Sequence, residues 1–535
     1  MEPGDRIIDL AGAEGWRDPI VSVALAQALS MFLSTQRWFA GKGGCIERVE
    51  CDCHDIGFDQ AGWLLARIRV WLAGQAEPQD YGLPLALAWD DEGDDQPRPP
   101  RSCTLARVRI GARIGLLYDA CAREAFSQSI LRMMAGNVRI PLGEGWLKFS
   151  STRVFRQWAG EAPGSLSVKC LSLDSSNATL NIGGRMLLKV YRRLRAGINP
   201  ELEMGRFLSD VAGFGNVAPL AGALEYADGN GTVIALALVQ GFIDNQGDAW
   251  SYTQDYLRCF LGDCLQQPDA LRAADGQVHG RYRRFAATLG RRTGELHRVL
   301  ALHTGDPAFD PEPITVADLE AWSTRIRSEL ATTLDRLELA RSGLPESMRV
   351  LARTVLDARE AVLARCVAPA ISDPLPMKTR CHGDYHLGQV LLAGDDVIII
   401  DFEGEPLRPL QERRAKHTPL RDVVGLLRSF NYAAHAALRQ ATTAGMGQWQ
   451  MLAPHVRVWE EQARSAFLEG YAQAARGCAS DPDDPWQVQA LLELLTLEKA
   501  SYELRYELDN RPDWLVIPLG GLCELLSLTM KEVPR

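Results

Sequence analysis

The sequence predicts an α+β chain in three successive parts: a small α+β module over residues 1–120, a β-rich lobe over 121–243 and a large, mostly helical lobe over 244–535. Three observations predict it. Strand-like runs broken by turn signals fill the first 240 residues, long segments with helical apolar periodicity follow about Asp248, and no internal repeat is present. The length of 535 residues fits two to four domains. With 46% hydrophobic residues the chain is neither disordered nor fibrous. A formal net charge of −10 excludes an overall basic footprint for nucleic acid or an anionic membrane. The first residues, MEPGDRIIDLAGAEG, lack a basic and apolar leader. The longest apolar run, Val233 to Val239, is far short of the roughly 20 residues that span a bilayer. The expectation is a cytoplasmic chain whose twelve cysteines are reduced thiols.

In order along the chain, Pro19 to Trp38 reads as a helix, with Val21, Leu25, Leu29 and Leu33 on one stripe and proline at its start. Strand-like runs follow at Ile46–Cys53, Trp63–Leu72, Leu83–Trp89 and Ala112–Tyr118, with an acidic, proline-rich loop at Asp90–Pro100. Cys45, Cys51, Cys53 and His54 cluster here, but the spacing lacks the C-x-x-C pairs of a zinc site. A helix at Ala122–Met134 leads into the β-rich lobe, which runs from Gly145 to Gln240. Within it, Thr179–Ile182 and Met186–Tyr191 flank Gly183-Gly184, a hairpin signal. A β-rich lobe followed by a helical one suggests a ligand cleft between them.

The chemistry concentrates in RCHGDYHLGQVLLAGDDVIIIDFEGEP, Arg380 to Pro406. His382-Gly383-Asp384 is a tight polar loop, and Gln389 follows five residues after Asp384. A turn at Gly394-Asp395-Asp396 and the β-branched run Val397–Ile400 then deliver Asp401, so a hairpin brings Asp384, Gln389 and Asp401 to one end. Two carboxylates and an amide oxygen are hard ligands suited to Mg2+. The pattern H-G-D-x-x-x-x-Q followed by D-F-E is similar to the catalytic loop and D-F-G of protein kinases. On that spacing Asp384, grouped with His382, is the catalytic base, and Gln389 and Asp401 hold the metal. Lys189, on the apolar strand Leu187-Leu188-Lys189-Val190, is the cation for the ATP phosphates. The loop Asp174 to Thr179, with Ser175, Ser176 and Asn177, would cover those phosphates without a glycine-rich motif. Asn199-Pro200 opens a helix carrying Glu201 and Glu203, one of which pairs with Lys189, Glu203 being favoured. Val239 and Gly241, at the end of the next strand, would offer backbone groups to adenine. The expected fold is therefore bilobal and protein-kinase-like, preceded by the small α+β module.

The chain also resembles the maltokinases, of the aminoglycoside-phosphotransferase-like branch of that fold. The matching stretches are RWFAGKG (Arg37–Gly43), Ser175–Thr179 with Lys189, VQGFIDNQGDAW, CHGDYHLGQVLL, IIIDFEGEPLRPLQERRAKHTPLRDVVGLLRSFNYAA and LEKASYELRYELDNRPDWLVIPL. The phosphate loop departs from the family, reading DSSNAT where an EQSNTS-like loop is usual. The resemblance implies transfer of phosphate from ATP to maltose, giving maltose 1-phosphate for α-glucan (glycogen-type) synthesis. It implies an N-terminal cap over the first 120 residues, a monomer or homodimer, and, with no amylase-like domain here, a separate trehalose synthase chain as partner. A glucosamine or other small-sugar kinase is the alternative, and a pseudokinase partner of a glucan-synthesis enzyme the rival of another class. A pseudokinase normally lacks one of the lysine and two aspartates, whereas Lys189, Asp384 and Asp401 are all present.

The acceptor is expected at the helix Leu491–Leu508 and its end. Glu503, Tyr506 and Glu507 share a face, followed by Arg511 and Trp514. Carboxylates, a phenol and an indole suit sugar hydroxyls and sugar faces; the competing reading makes the aromatics core and the charges solvated. Arg408, Arg413, Arg414 and Lys416 form a basic run that either docks structure, contacts phosphate or is solvated. Arg421-Asp422, opening the next helix, reads as scaffold, and the helix through Thr293 and His297 is given no role in the site.

Overall fold

A computed structural model describes residues 7–10, 18–41, 44–56, 62–91, 98–173, 175–266, 278–369, 376–442, 446–481 and 484–525. Asp174, Lys42 and Gly43, most of the acidic loop before Pro100 and most of the first seventeen residues lie outside that set. The chain forms two compact units, Met1–Ile243 and Asp244–Arg535.

The first unit holds two sheets. One comprises β1 (Ile7–Asp9), β2 (Ile46–Ile56), β3 (Trp63–Leu72), β4 (Gln79–Trp89), β5 (Thr104–Ile110) and β6 (Arg113–Asp119), in the order β1-β5-β6-β4-β3-β2. Helix α1 (Pro19–Thr35), capped by Asp18, lays the stripe Val21, Leu25, Leu29 and Leu33 on one face. Residues of β3 alternate between two cores. Leu64, Ala66, Ile68 and Val70 face α1, while Trp63 and Leu65 join a second cluster with residues of the next sheet. The sequence reading missed β5, whose Leu105 and Val108 point inward between arginines that hide the period-2 pattern.

The second sheet comprises β7 (Arg139–Leu142), β8 (Gly145–Ser151), β9 (Val168–Ser172), β10 (Asn177–Ile182), β11 (Met186–Tyr191), β12 (Leu220–Ala227) and β13 (Val233–Gly241), in the order β7-β8-β12-β13-β11-β10-β9. Helix α2 (Glu124–Ala135) packs on it through Phe126, Ile130, Leu131 and Met134. The β10–β11 turn is Gly183-Gly184, with φ of +62° and +66°, the left-handed region glycine enters without cost. The short helix α3 (Pro200–Arg206) follows β11.

The second unit is helical: α4 (Ala249–Gln266), α5 (Gly280–Leu300), α6 (Val316–Ala340), α7 (Leu420–Ala441), α8 (Met446–Ala475), α9 (Pro485–Asn510) and α10 (Val516–Leu525). Its strands are β14 (Glu312–Pro313), β15 (Met377–Lys378) and the hairpin β16 (Val390–Ala393) with β17 (Asp396–Ile399). Helices α5 and α8 approach to backbone contact. A Cβ on Gly290 would lie 2.0 Å from Phe467 O, and one on Gly470 would lie 2.2 Å from Ala287 O. The sequence places α9 six residues late, because Asp484-Pro485, a cap and first-turn proline, precedes its apolar stripe. Among the described residues no helix is long and apolar enough to cross a membrane.

Candidate active site

In the first unit, Lys189 lies on β11 and its Nζ meets Glu201 Oε2 at 2.8 Å, both side chains largely buried. Tyr191 donates to the same oxygen at 2.6 Å. Asn199 caps α3 by accepting from Leu202 N–H, and Pro200 takes the first helical position. Of the two candidate glutamates, Glu201 is the one seen against Lys189, where the sequence favoured Glu203. Helical residues turn by about 100° each, so two positions on, Glu203 lies across the helix from Glu201. Ser175 and Ser176 are exposed, and Ser175 Oγ donates to Asn177 O at 2.6 Å where β10 begins. The adenine-facing expectation is corrected in part. Val239 is fully buried within the sheet. Gly241 N–H donates to Pro219 O at 2.9 Å and Phe242 N–H to Arg185 O at 2.7 Å, so both donors are taken. A Cβ on Gly241 would meet the Trp158 ring at 2.9 Å, so packing alone accounts for glycine there.

In the second unit the loop His382-Gly383-Asp384 hangs from Asp422, at the start of α7. His382 N–H and Gly383 N–H donate to the two oxygens of Asp422 at 2.8 and 2.9 Å. His297 Nε2 holds the same carboxylate at 3.1 Å, and Tyr471 holds His297 Nδ1. Burial would push the Asp422 carboxyl up, but His297, His382 and the Gly383 N–H outweigh it and hold it below the usual range. His382 is buried. Its Nε2 lies 2.9 Å from Ile400 O, and its Nδ1 faces Asp384 N–H at 3.4 Å. Both ring nitrogens of His382 are turned to backbone, a geometry that suits holding the loop better than the catalytic role expected from the sequence. Asp401 has φ +66°, a conformation that aspartate tolerates better than most residues. Gln389 Nε2 donates to its Oδ2 at 3.1 Å, and the Glu403 carboxylate lies within 4.8 Å of that of Asp401. The carboxylates of Asp401 and Glu403 are hard oxygen donors that fit Mg2+, and Gln389 joins them as a ligand when its amide turns its oxygen inward.

Asp384 opens onto a cavity of about 400 Å³, a size that suits a small-molecule ligand. Glu503, Tyr506, Glu507, Arg511 and Trp514 all share its wall with Asp384. The carboxylates are not bare, however. Arg428 Nη2 meets Glu503 at 2.7 Å, and Glu507 takes Arg511 at 2.8 Å and the Tyr432 hydroxyl at 3.3 Å. Trp514 lies parallel to Tyr432 with centroids 6.2 Å apart, and the Arg511 guanidinium sits 4.9 Å from the Trp514 ring. Burial raises the Glu507 carboxyl, with Arg511 opposing.

Sequence reasoning missed Lys499, one helical turn before Glu503. Its Nζ lies 2.8 Å from Glu405 and 3.5 Å from Asp384 Oδ1. Burial alone would neutralise it; Glu405 and Asp384 outweigh that and hold it protonated above the usual lysine range. Positions 499, 503, 506 and 507 recur at one-turn spacing, the signal that could have found it. Tyr432 and Trp250 also line the cavity and went unread. Beneath the loop, Arg408 joins Glu405, Glu412 and Glu498, and Lys416 bonds Glu312 at 2.6 Å, so these two cations of the basic run dock structure. Arg413 does so too, donating to the carbonyls of Pro406 and Arg408. Burial would raise Glu405, but Lys499, Arg421 and Arg408 hold it down to about 2. The twelve cysteines form no disulfide, and in the early cluster His54 is paired with Asp52 at 2.9 Å.

Residues 168–455, more than half of the chain, match the model of the phosphotransferase enzyme family. A glucosamine kinase of Streptacidiphilus jiangxiensis is 26% identical over 82% of this chain and 93% of its own length. A glucosamine kinase of Mycolicibacterium smegmatis is 25% identical over 67% of this chain and 79% of its own. Among solved structures, a glucosamine kinase in complex with glucosamine, ADP and inorganic phosphate superposes with TM-score 0.59 at 21% identity, covering 93% of this chain and 99% of that one. That likeness carries the kinase-like α+β fold, and the sequence match, from β9 into α8, carries the family. The chain belongs to the phosphotransferase enzyme family.

Proposed function

We propose that the protein is an ATP- and Mg2+-dependent sugar kinase whose acceptor is maltose, phosphorylated at the anomeric hydroxyl. The observation that carries the reading is the cavity that gathers Asp384 with Glu503, Tyr506, Glu507, Arg511 and Trp514. The cavity wall supplies an aromatic pair, Tyr432 and Trp514, and polar groups beside a carboxylate positioned as base. Asp384 accepts the proton of the acceptor hydroxyl as that oxygen bonds to the γ-phosphorus; the bond to the bridging oxygen breaks and ADP leaves. Lys189, oriented by Glu201, neutralises nucleotide phosphates. Asp401 and Gln389 would hold Mg2+, which when bound supplies charge neutralisation at the β- and γ-oxygens.

The relatives named glucosamine kinase support a second reading, an amino-sugar acceptor. The charge pattern favours a neutral sugar. Glu503 is matched by Arg428 and Glu507 by Arg511, which leaves little uncompensated negative charge for an ammonium group. ADP release over maltose, glucose and glucosamine tests both readings. A preference for glucosamine or glucose over maltose of more than about tenfold in kcat/KM, some 1.4 kcal/mol in transition-state binding, rejects maltose while leaving the kinase reading standing. Phosphorus NMR of the product locates the phosphate, and a 6-phosphate rejects the anomeric assignment.

A further inference from the structure

The first 167 residues lie outside the family match, and R-W-F-A-G-K-G takes no part in the chemistry above. After Tyr191 the chain that carries Lys189 passes from the second sheet to the first. Its next residues run against the first sheet, with Gly82 N–H donating to Arg192 O at 2.9 Å and Leu194 N–H donating to Asp80 O at 2.8 Å. Tyr81 and Arg193 form an antiparallel bridge between these bonds. The Arg192 side chain is completely buried and pairs with Asp119, the last residue of β6. Trp38, from the R-W-F-A-G-K-G motif, lies 5.2 Å from that guanidinium. Trp38 and Phe39 in turn pack on Tyr81, with ring centroids 6.0 and 5.4 Å apart. Gly82 has no room to spare, since a Cβ there would lie 3.0 Å from Leu194.

Lys189 and Arg192 are three residues apart, and the chain bends at Arg192, just past the end of β11. One segment is thus held at two places: by Glu201 at the lysine, and by Asp119 with Trp38 about 10 Å further on. We propose that the N-terminal module is a positioning device for the nucleotide lysine, with Asp119, Arg192 and Trp38 fixing the end of β11 and so the placement of Lys189. The proposal rests on the reading of Lys189 as the cation for the ATP phosphates. A structural brace alone would lower stability and depress all kinetic constants together; a positioning device acts on ATP and spares the acceptor.

The test compares Asp119→Asn, Gly82→Ala and Lys189→Ala with wild type in the full chain. ATP is titrated at saturating maltose, and maltose at saturating ATP. Asp119→Asn and Gly82→Ala are expected to raise the ATP KM about tenfold, within what a small misplacement costs, and to leave the maltose KM within about twofold. Amide exchange at Leu188–Tyr191 should quicken in both. The proposal is overturned if the two KM values rise together, or if Lys189→Ala raises the ATP KM and neither of the others does. If Lys189→Ala leaves the ATP KM unchanged, the reading of Lys189 itself falls. Should Asp119→Asn fail to fold because it strands a buried guanidinium, the milder Gly82→Ala decides between the same outcomes.

Discussion

Asp384 works in company: Lys499 lies 3.5 Å from one carboxylate oxygen and His386 Nε2 lies 4.0 Å from the other. Asp384→Asn should preserve the fold and ATP binding and cut turnover by about 10²- to 10⁴-fold, the worth of a positioned base. More than a tenth of wild-type rate would remove it from that role. Lys499→Met should lower kcat/KM for the acceptor by about tenfold or more at unchanged ATP KM, the size of one charge-assisted hydrogen bond. The fold should tolerate it, because Glu405 keeps Arg408 and Arg421. Equal losses for both substrates would make Lys499 scaffold. The contact of Gln389 with Asp401 was legible from spacing alone, because the hairpin fixes their separation locally. The choice of Glu201 over Glu203 was not legible, since it depends on which face a two-turn helix presents to β11. Nor was the burial of His382, which follows from contacts with Ile400 and Phe402 across the hairpin.

The elements divide along similar lines. Hairpins with glycine turns, β3 and the stripe of α1 could be read from local pattern, because one buried face imposes a period. The start of α9 and the strand β5 were missed where caps or arginines interrupt that period. The larger omission was the support of the H-G-D loop. It hangs from the first turn of α7 through Asp422, and Asp422 from α5 through His297, a chain of contacts whose members lie far apart in sequence. Asp422→Ala strips two loop amides and a buried histidine of their acceptor. It should cost about 3–5 kcal/mol, read as a fall in the urea midpoint, as loss of one partner of a buried pair does. A midpoint shifted by less than 1 kcal/mol equivalent would show the loop to be held by other means.

Over the whole molecule, buried titratable groups set an acid limit to stability. Burial, with Arg421 nearby, lowers His417 to about 3, and burial lowers His279 and His435 to about 4. The unfolded chain binds protons at these sites below about 6.5, where the folded chain cannot. Their contribution is therefore complete above pH 6.5 and drains away as the pH falls toward 4 and 3. Glu405, held down to about 2, adds a further loss below about pH 4.3. Denaturation midpoints should fall steadily from pH 7 to pH 5. In His417→Phe, which keeps the stack on Trp322 at 3.8 Å, the slope should be shallower. A wild-type midpoint flat over that range would refute this account.

Where α5 meets α8, Gly290 and Gly294 face the backbone of Phe467 and Tyr471, and Gly470 faces that of Ala287. His297, one turn beyond Gly294, is the residue that holds Asp422. The spacing of two helices is thereby transmitted to the reactive loop, much as a bearing sets the position of a shaft. One methyl group added at Gly294 leaves every recognisable motif of the chain in place, yet it moves the part that aligns them. Variation at such glycines would thus silence the enzyme in a way that inspection of its signature residues does not detect.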